Sequence, residues 1–234
     1  MSDDVSLPMT VEVHGVFRLH PWVEQVNLEH DLDEDLFSLA IKRAASYGWS
    51  SAFIGGMSEL GGTRWGHADA GNDWSQDGRS RRVAWLTVYP TVGMARQHLP
   101  VLPMTRVMVD ALHRMGDVTF TALCSRVPLR LAVDTGFDLR SDADWYALSS
   151  PAARTDVAVS VEAGADVDPV RAREGIARRG HGRLRVTPGA EGSAYTVSTP
   201  EWTPDAAAWI TEVVVDTLRA DGVTGEAAIT VSAR

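Results

Sequence analysis

Apolar residues in this chain recur in two rhythms, alternation on every second residue and recurrence at three to four, the periods of strand and helix. Alternation covers Thr10 to Leu19, Arg82 to Tyr89 and Val118 to Ser125, and later Asp156 to Glu162, Ala194 to Ser198 and Glu226 to Ala233. Two shorter β-rich runs, Trp49 to Ile54 and Arg183 to Thr187, fall between them. Helical spacing covers Asp33 to Tyr47, Leu102 to Met115, Pro169 to Arg179 and Pro204 to Asp221. Each half of the chain therefore reads strand, helix, strand, strand, helix, strand.

The halves also share sequence. MTRVMVDALHRMG, from Met104, aligns without gaps on ITEVVVDTLRADG, from Ile210, matching Thr105 with Thr211, Val107 with Val213, Asp110 with Asp216, Leu112 with Leu218 and Gly116 with Gly222. The two glycines are expected to end their helices in the left-handed cap conformation. Asp168-Pro169 and Thr203-Pro204 each place an N-cap residue before a proline at the first helical position. Asp33, Glu34 and Asp35 suit a helix start, and Gly48 a helix end.

The fold class is thus α+β, and the order βαββαβ is that of the ferredoxin-like unit, an antiparallel sheet with both helices on one face. Two tandem units are expected, residues 9–126 and 154–234. Residues 127–153 would connect them, with a short helix in SDADWYALSS. Between the second and third strands of the first unit, Gly61 to Arg82 reads as an enlarged hairpin loop, whose counterpart in the second unit is the short turn PGAEGS.

Alternation sorts the strand residues by face. Val11, Val13, Phe17, Leu19, Ala84, Leu86, Val88, Val118, Phe120, Ala122 and Cys124 form the expected helix-side core, which makes Cys124 a buried small side chain. The opposite face is expected to carry Glu12, His14, Val16 and Arg18, then Val83, Trp85, Thr87 and Tyr89, then Thr119, Thr121, Leu123 and Ser125. In the second unit it carries small residues such as Ala158, Ser160, Thr196 and Thr230. A large mixed face and a small polar one suit two sheets packed open face to open face around a cavity. There Trp85 would form a wall, with Thr87, Thr119 and Thr121 as polar contacts. His14 and Tyr89 would move protons, and Arg18 would hold an anion. Trp65, His67 and Trp74 in the long loop would contact the same ligand, because disordered segments are poor in aromatics. The bland alternative for His14 and Arg18 is neutralisation by Glu12 or Glu162.

Composition narrows the classes of function. A formal charge of -9 disfavours a nucleic-acid surface, although aromatics on an open ferredoxin-like face are what RNA-recognition modules use. The chain has one cysteine, so no intrachain disulfide and no cysteine pair for a structural zinc. GHADAGND matches neither the EF-hand nor the HExxH pattern, so no metal is assigned. GGMSELGG lacks the order of a phosphate loop, the serine-hydrolase elbow is absent, and no cofactor is expected. No apolar run of membrane-spanning length and no leader pattern is present, so a cytoplasmic location is expected. A single lysine among many arginines and alanines suggests a GC-rich bacterial genome. The sequence leads to a protein that binds, and in one version transforms, a small organic molecule. The alternative is a non-catalytic scaffold whose open faces and 61–82 loop meet another protein or a second copy of itself.

Overall fold

A computed structural model describes residues 8–30, 35–46, 59–60, 63–71, 73–74, 77–90, 101–131, 136–149, 153–163, 167–189 and 194–234. In chain order its elements are β1 (Met9–Leu19), α1 (Trp22–His30), α2 (Leu36–Ser46), β2 (Glu59–Leu60), β3 (Thr63–Gly71), β4 (Arg81–Pro90), α3 (Val101–Met115) and β5 (Gly116–Pro128). There follow α4 (Gly136–Trp145), β6 (Thr155–Ala163), α5 (Pro169–Arg179), β7 (Arg185–Pro188), β8 (Ala194–Thr199), α6 (Pro204–Ala220) and β9 (Glu226–Ala233). Short 3-10 turns follow β5 and α4.

The architecture is α+β with one open antiparallel sheet. Among the described residues its nine strands run β2-β3-β4-β1-β5-β9-β6-β8-β7. The expected packing of two sheets face to face is not what forms. Instead β5 hydrogen-bonds to β9 from Ala122 opposite Ser232 to Pro128 opposite Glu226, and the halves fuse edge to edge. Backbone pairing explains the outcome: two exposed edges satisfy their donors and acceptors by joining, and the seam then has no free edge.

Helices cover one face. α3 packs on β1, β4 and β5, and α6 on β5 and β9; α2 lies against α3, α5 against α6, and α3 against α6. α4 packs over α6 and α5, so α6 is covered on every side and Ala206 to Leu218 are all buried. Its buried threonines are satisfied within the helix and Glu212 by a neighbouring one. Thr211 and Thr217 donate to the carbonyls of Ala207 and Val213, and Glu212 accepts the backbone N–H of Leu102 at 3.1 Å. Tyr146, just after α4, stacks on the fully buried Trp209 with ring centroids 4.9 Å apart.

The matched helices carry matched contacts. Thr105 bonds to Val101 O at 2.7 Å as Thr211 bonds to Ala207 O at 2.9 Å. Asp110 on α3 accepts from Arg43 Nε on α2 at 2.6 Å, and Asp216 on α6 accepts from Arg179 Nε on α5 at 2.5 Å. Asp168 and Thr203 cap α5 and α6 as expected, accepting from Val170 N at 2.9 Å and Ala206 N at 3.1 Å. Gly222 takes the left-handed conformation, with φ +85. Its partner Gly116 does not. It opens β5, where a Cβ would lie 2.3 Å from the carbonyl oxygen of Arg18.

Other elements depart from the sequence reading. α1 has only Val23 buried and a weakly amphipathic sequence, so periodicity did not reveal it. α2 starts at Leu36, where Asp35 Oδ1 accepts the N–H of Ser38 at 2.8 Å; Asp33, Glu34, Gly48 and the expected strand Trp49 to Ile54 lie outside the described residues. The connector helix begins earlier than SDADWYALSS, at Gly136. The stretch from Gly61 to Arg82 is not all loop. Thr63–Gly71 is strand β3, paired with β4 from Trp65 opposite Pro90 to Gly71 opposite Trp85. Its glycines and aspartate lower strand propensity, but pairing with a good strand outweighs propensity. No helix among the described residues is long and apolar enough to cross a membrane.

Candidate functional site

On β1, Met9, Val11, Val13 and Phe17 are buried under the helices, which leaves Glu12 and His14 on the open face. Both neighbouring strands bulge beside His14. On β4 the pairing passes from Val13 opposite Ala84 to His14 opposite Arg82, so Val83 is an extra residue. On β5 it passes from His14 opposite Ala122 to Gly15 opposite Phe120, so Thr121 is extra. Gly15 permits that second bulge, since a Cβ there would sit 2.4 Å from the carbonyl oxygen of Thr119.

The bulge at Thr121 reverses the phase of β5. Beyond it Leu123, Ser125 and Val127 are buried, and Cys124 is half-exposed, opposite Glu12. Cys124, expected in the helix-side core with Ala122, instead stands on the open face, and Leu123 and Ser125 take the buried positions. Strict alternation cannot anticipate a residue inserted into a strand.

The result is a three-residue cluster. One ligand atom from each of Glu12, His14 and Cys124 lies within 4.8 Å of the others. His14 Nε2 is 3.2 Å from Glu12 Oε2, and the two side chains are 28% and 27% exposed. Partners hold the outer atoms: Arg82 Nη1 donates to Glu12 Oε1 at 3.0 Å, and the Thr230 hydroxyl donates to Cys124 Sγ at 3.6 Å. The Arg82 guanidinium lies 4.1 Å from the centre of the Trp85 ring, so Trp85, Arg82 and Glu12 form a continuous line across β4 and β1. Gly71, opposite Trp85, leaves room for the indole, whose ring atoms would otherwise be 2.0 Å from a Cβ. The hydrogen bond to Cys124 raises the pKa of His14 above its usual value; burial opposes this, and the Cys124 charge and the Glu12 carboxylate reinforce it.

Beside the cluster a pocket of about 230 Å³ opens on the sheet across β1, β5, β9 and β6. Glu12, Cys124, Arg126, Ser160, Glu162 and Thr230 help to line it. It therefore straddles the seam between the halves, with both signs of charge at its rim.

The other expected site residues are dispersed. Arg18 is exposed near the end of β1, opposite Asp117, about 13 Å from His14 at the usual strand rise. Thr87 shares a hydrogen bond with Thr10 at 3.0 Å, and Thr121 shares one with Ser80 at 2.7 Å. Thr119 is exposed opposite Val16. Trp74 turns to the core: its Nε1 donates to Val83 O at 3.0 Å and its ring lies 5.0 Å from that of Phe17. Trp65, His67 and Tyr89 pair through their backbones with Pro90, Val88 and Gly66, and their side chains lie outside the described residues. Sequence reasoning missed Cys124 and Arg82; it placed Thr230 on the open face but gave it no role. The available signal was Gly15, a glycine in mid-strand, which marks a bulge or a close backbone approach.

Comparison with protein families, with characterised proteins and with solved structures finds no match to this chain.

Proposed function

We propose that the chain is a pair of ferredoxin-like units fused through their last strands, and that it binds and transforms a small polar molecule in the pocket at their junction. Two regularities support the first part. The strand orders β5-β1-β4-β3 and β9-β6-β8-β7 both place the fourth strand of a unit beside its first, then its third, then its second. The spacing that matches Met104 with Ile210 also matches Cys124 with Thr230, and these two residues face each other across the seam. Leu123 opposite Val231 and Ser125 opposite Ile229 are then equivalent pairs about an axis through Cys124 and Thr230.

The single observation that carries the functional reading is the His14, Glu12 and Cys124 cluster at the edge of that axial pocket. Glu12 and His14 have Ser160 and Glu162 as their counterparts in the second unit, since Ser160 faces Thr230 and Glu162 faces Ala228 on β9. Relaxing twofold symmetry at an axial pocket is how one duplicated surface becomes a directional site, with a thiol, an imidazole and a carboxylate on one side and hydroxyls and a carboxylate on the other. Arg126 suits an anionic group, and the Trp85 and Arg82 stack forms an outer wall. His14 keeps the role expected of it as the centre of the chemistry, now with two partners, whereas Arg18 and Tyr89 are not needed. A reducing, cytoplasmic setting belongs to this proposal, because a half-exposed free thiol persists there.

The test is Ser160→Trp, which fills the pocket from the half that lacks the cluster. Native mass spectrometry and a thermal-shift screen of small carboxylates and phosphate esters should find a ligand for the parent protein, and the variant should lose it while keeping its circular dichroism. A ligand held equally by both proteins would refute the location. The continuous open face also favours a second reading, association with another copy through that face. Light scattering on the parent protein tests it, and a monomer at micromolar concentration removes it.

A further inference from the structure

We propose that Glu12, His14 and Cys124 form a three-ligand site for a divalent ion of borderline softness, with zinc as the fitting case. The inference rests on the axial pocket being the functional site and specifies what its cluster holds.

The donor set comes first. A thiolate, an imidazole and a carboxylate together match zinc, which accepts sulfur, nitrogen and oxygen, and match magnesium or calcium poorly, since those ions want oxygen alone. This is the one grouping of such donors found among the described residues. Three protein ligands with a fourth position open is the pattern of zinc sites that act on a bound molecule; closed four-ligand sites are structural.

Geometry comes second. Around a tetrahedral zinc, donor atoms lie about 3.3 to 3.8 Å apart, given bonds of about 2.0 to 2.3 Å. Glu12 and His14 already stand at 3.2 Å, and all three donors lie within 4.8 Å, so closing on an ion requires side-chain rotation without backbone movement. The backbone sets this up by register: Glu12 and His14 are two residues apart on one strand, and Cys124 is directly opposite Glu12.

The surrounding side chains fit a metal site as well. Ligands in working metal sites are held by outer hydrogen bonds that fix their orientation. Arg82 takes Glu12 Oε1 and leaves Oε2 toward His14, and Thr230 donates to the Cys124 sulfur from the other half of the molecule. Arg82 also offsets the negative charge of the donor set. Glu12 and Cys124 both line the pocket, so the open coordination position would face the molecule bound there.

The experiment is titration of the metal-free protein with Co²⁺ and Zn²⁺, followed by ultraviolet absorption and by competition with a chromophoric chelator. One equivalent of Co²⁺ should give a thiolate-to-cobalt charge-transfer band that zinc abolishes. Cys124→Ser should remove the band and weaken zinc at least tenfold. Thr230→Val should keep the band but weaken zinc by about tenfold, within the range for loss of an outer partner. The ligand screen of Ser160→Trp reads the pocket and the cobalt band of the parent protein reads the metal, so a failure of the pocket reading and a failure of the metal reading give different results. Absence of a charge-transfer band in the parent protein, or equal zinc affinity in the parent and in a folded Cys124→Ser, overturns the proposal.

Discussion

Gly15 sets the position of the cluster. Its missing side chain lets β5 approach within a distance that no Cβ tolerates, and the extra residue at Thr121 then turns Cys124 to the open face. Because the obstructing atom is a backbone carbonyl, Gly15→Ala cannot be relieved by a rotamer change. It should cost about 1 to 3 kcal/mol in urea unfolding, the usual cost of forced overpacking, and displace the His14 and Cys124 resonances. A second residue-scale effect concerns Tyr146. Burial pushes its phenol far above the ordinary 10.0, and the charges of Asp205, Glu201 and Asp142 add to this. The folded state therefore keeps a proton that the unfolded state releases. The resulting stability is complete below pH 10 and is lost as pH rises further. In an ultraviolet titration Tyr146 should ionise only with unfolding, and Tyr146→Phe should remove that component and flatten the alkaline fall in stability.

Among the elements, the paired helices show how one contact takes two values in two environments. Asp216 is 7% exposed and held by both Arg179 and Arg219, whereas Asp110 and Arg43 are 36% and 47% exposed. Removing a buried partner leaves a charge uncompensated, and an exposed pair contributes little. Asp216→Ala should cost about 3 to 5 kcal/mol in denaturant unfolding, and Asp110→Ala no more than about 1 kcal/mol. The helices that pack on the sheet and most strands were legible in the sequence because they have long periodic patterns and capping residues, whereas α1, with one buried residue, was not. α5 and β9 match the expected ranges, and α3 and α6 differ from them by one residue. β3 was not legible, because its glycines resemble a loop and only its partner makes it a strand. The site was half legible. Alternation placed Glu12, His14 and Trp85 on the open face, but the bulge that adds Cys124 depends on a backbone clash between strands that no one-strand pattern records.

At the scale of the molecule, the seam joins the halves twice, through β5 and β9 in the sheet and through α3 and α6 in the helical layer. Arg106 adds a two-pronged bond from α3 to Asp205 on α6, at 3.0 and 2.9 Å. Neither half can open without exposing the buried Leu123, Ile229 and Val231 of the other's neighbourhood. The halves should therefore unfold in one transition, with near- and far-ultraviolet circular dichroism changing together. Two separate midpoints would mean that the junction is weaker than its contacts imply.

The hydrogen bond from Thr230 to Cys124 makes the junction a place where occupancy can be felt at a distance. Whatever draws on the sulfur from the pocket side also draws on a hydroxyl carried by the opposite half, at the centre of the strand pair. Filling the site should then slow amide hydrogen exchange at Val231, buried under the helices and outside the lining of the pocket, so that the tempo of the sheet's own opening becomes a gauge of what the surface holds.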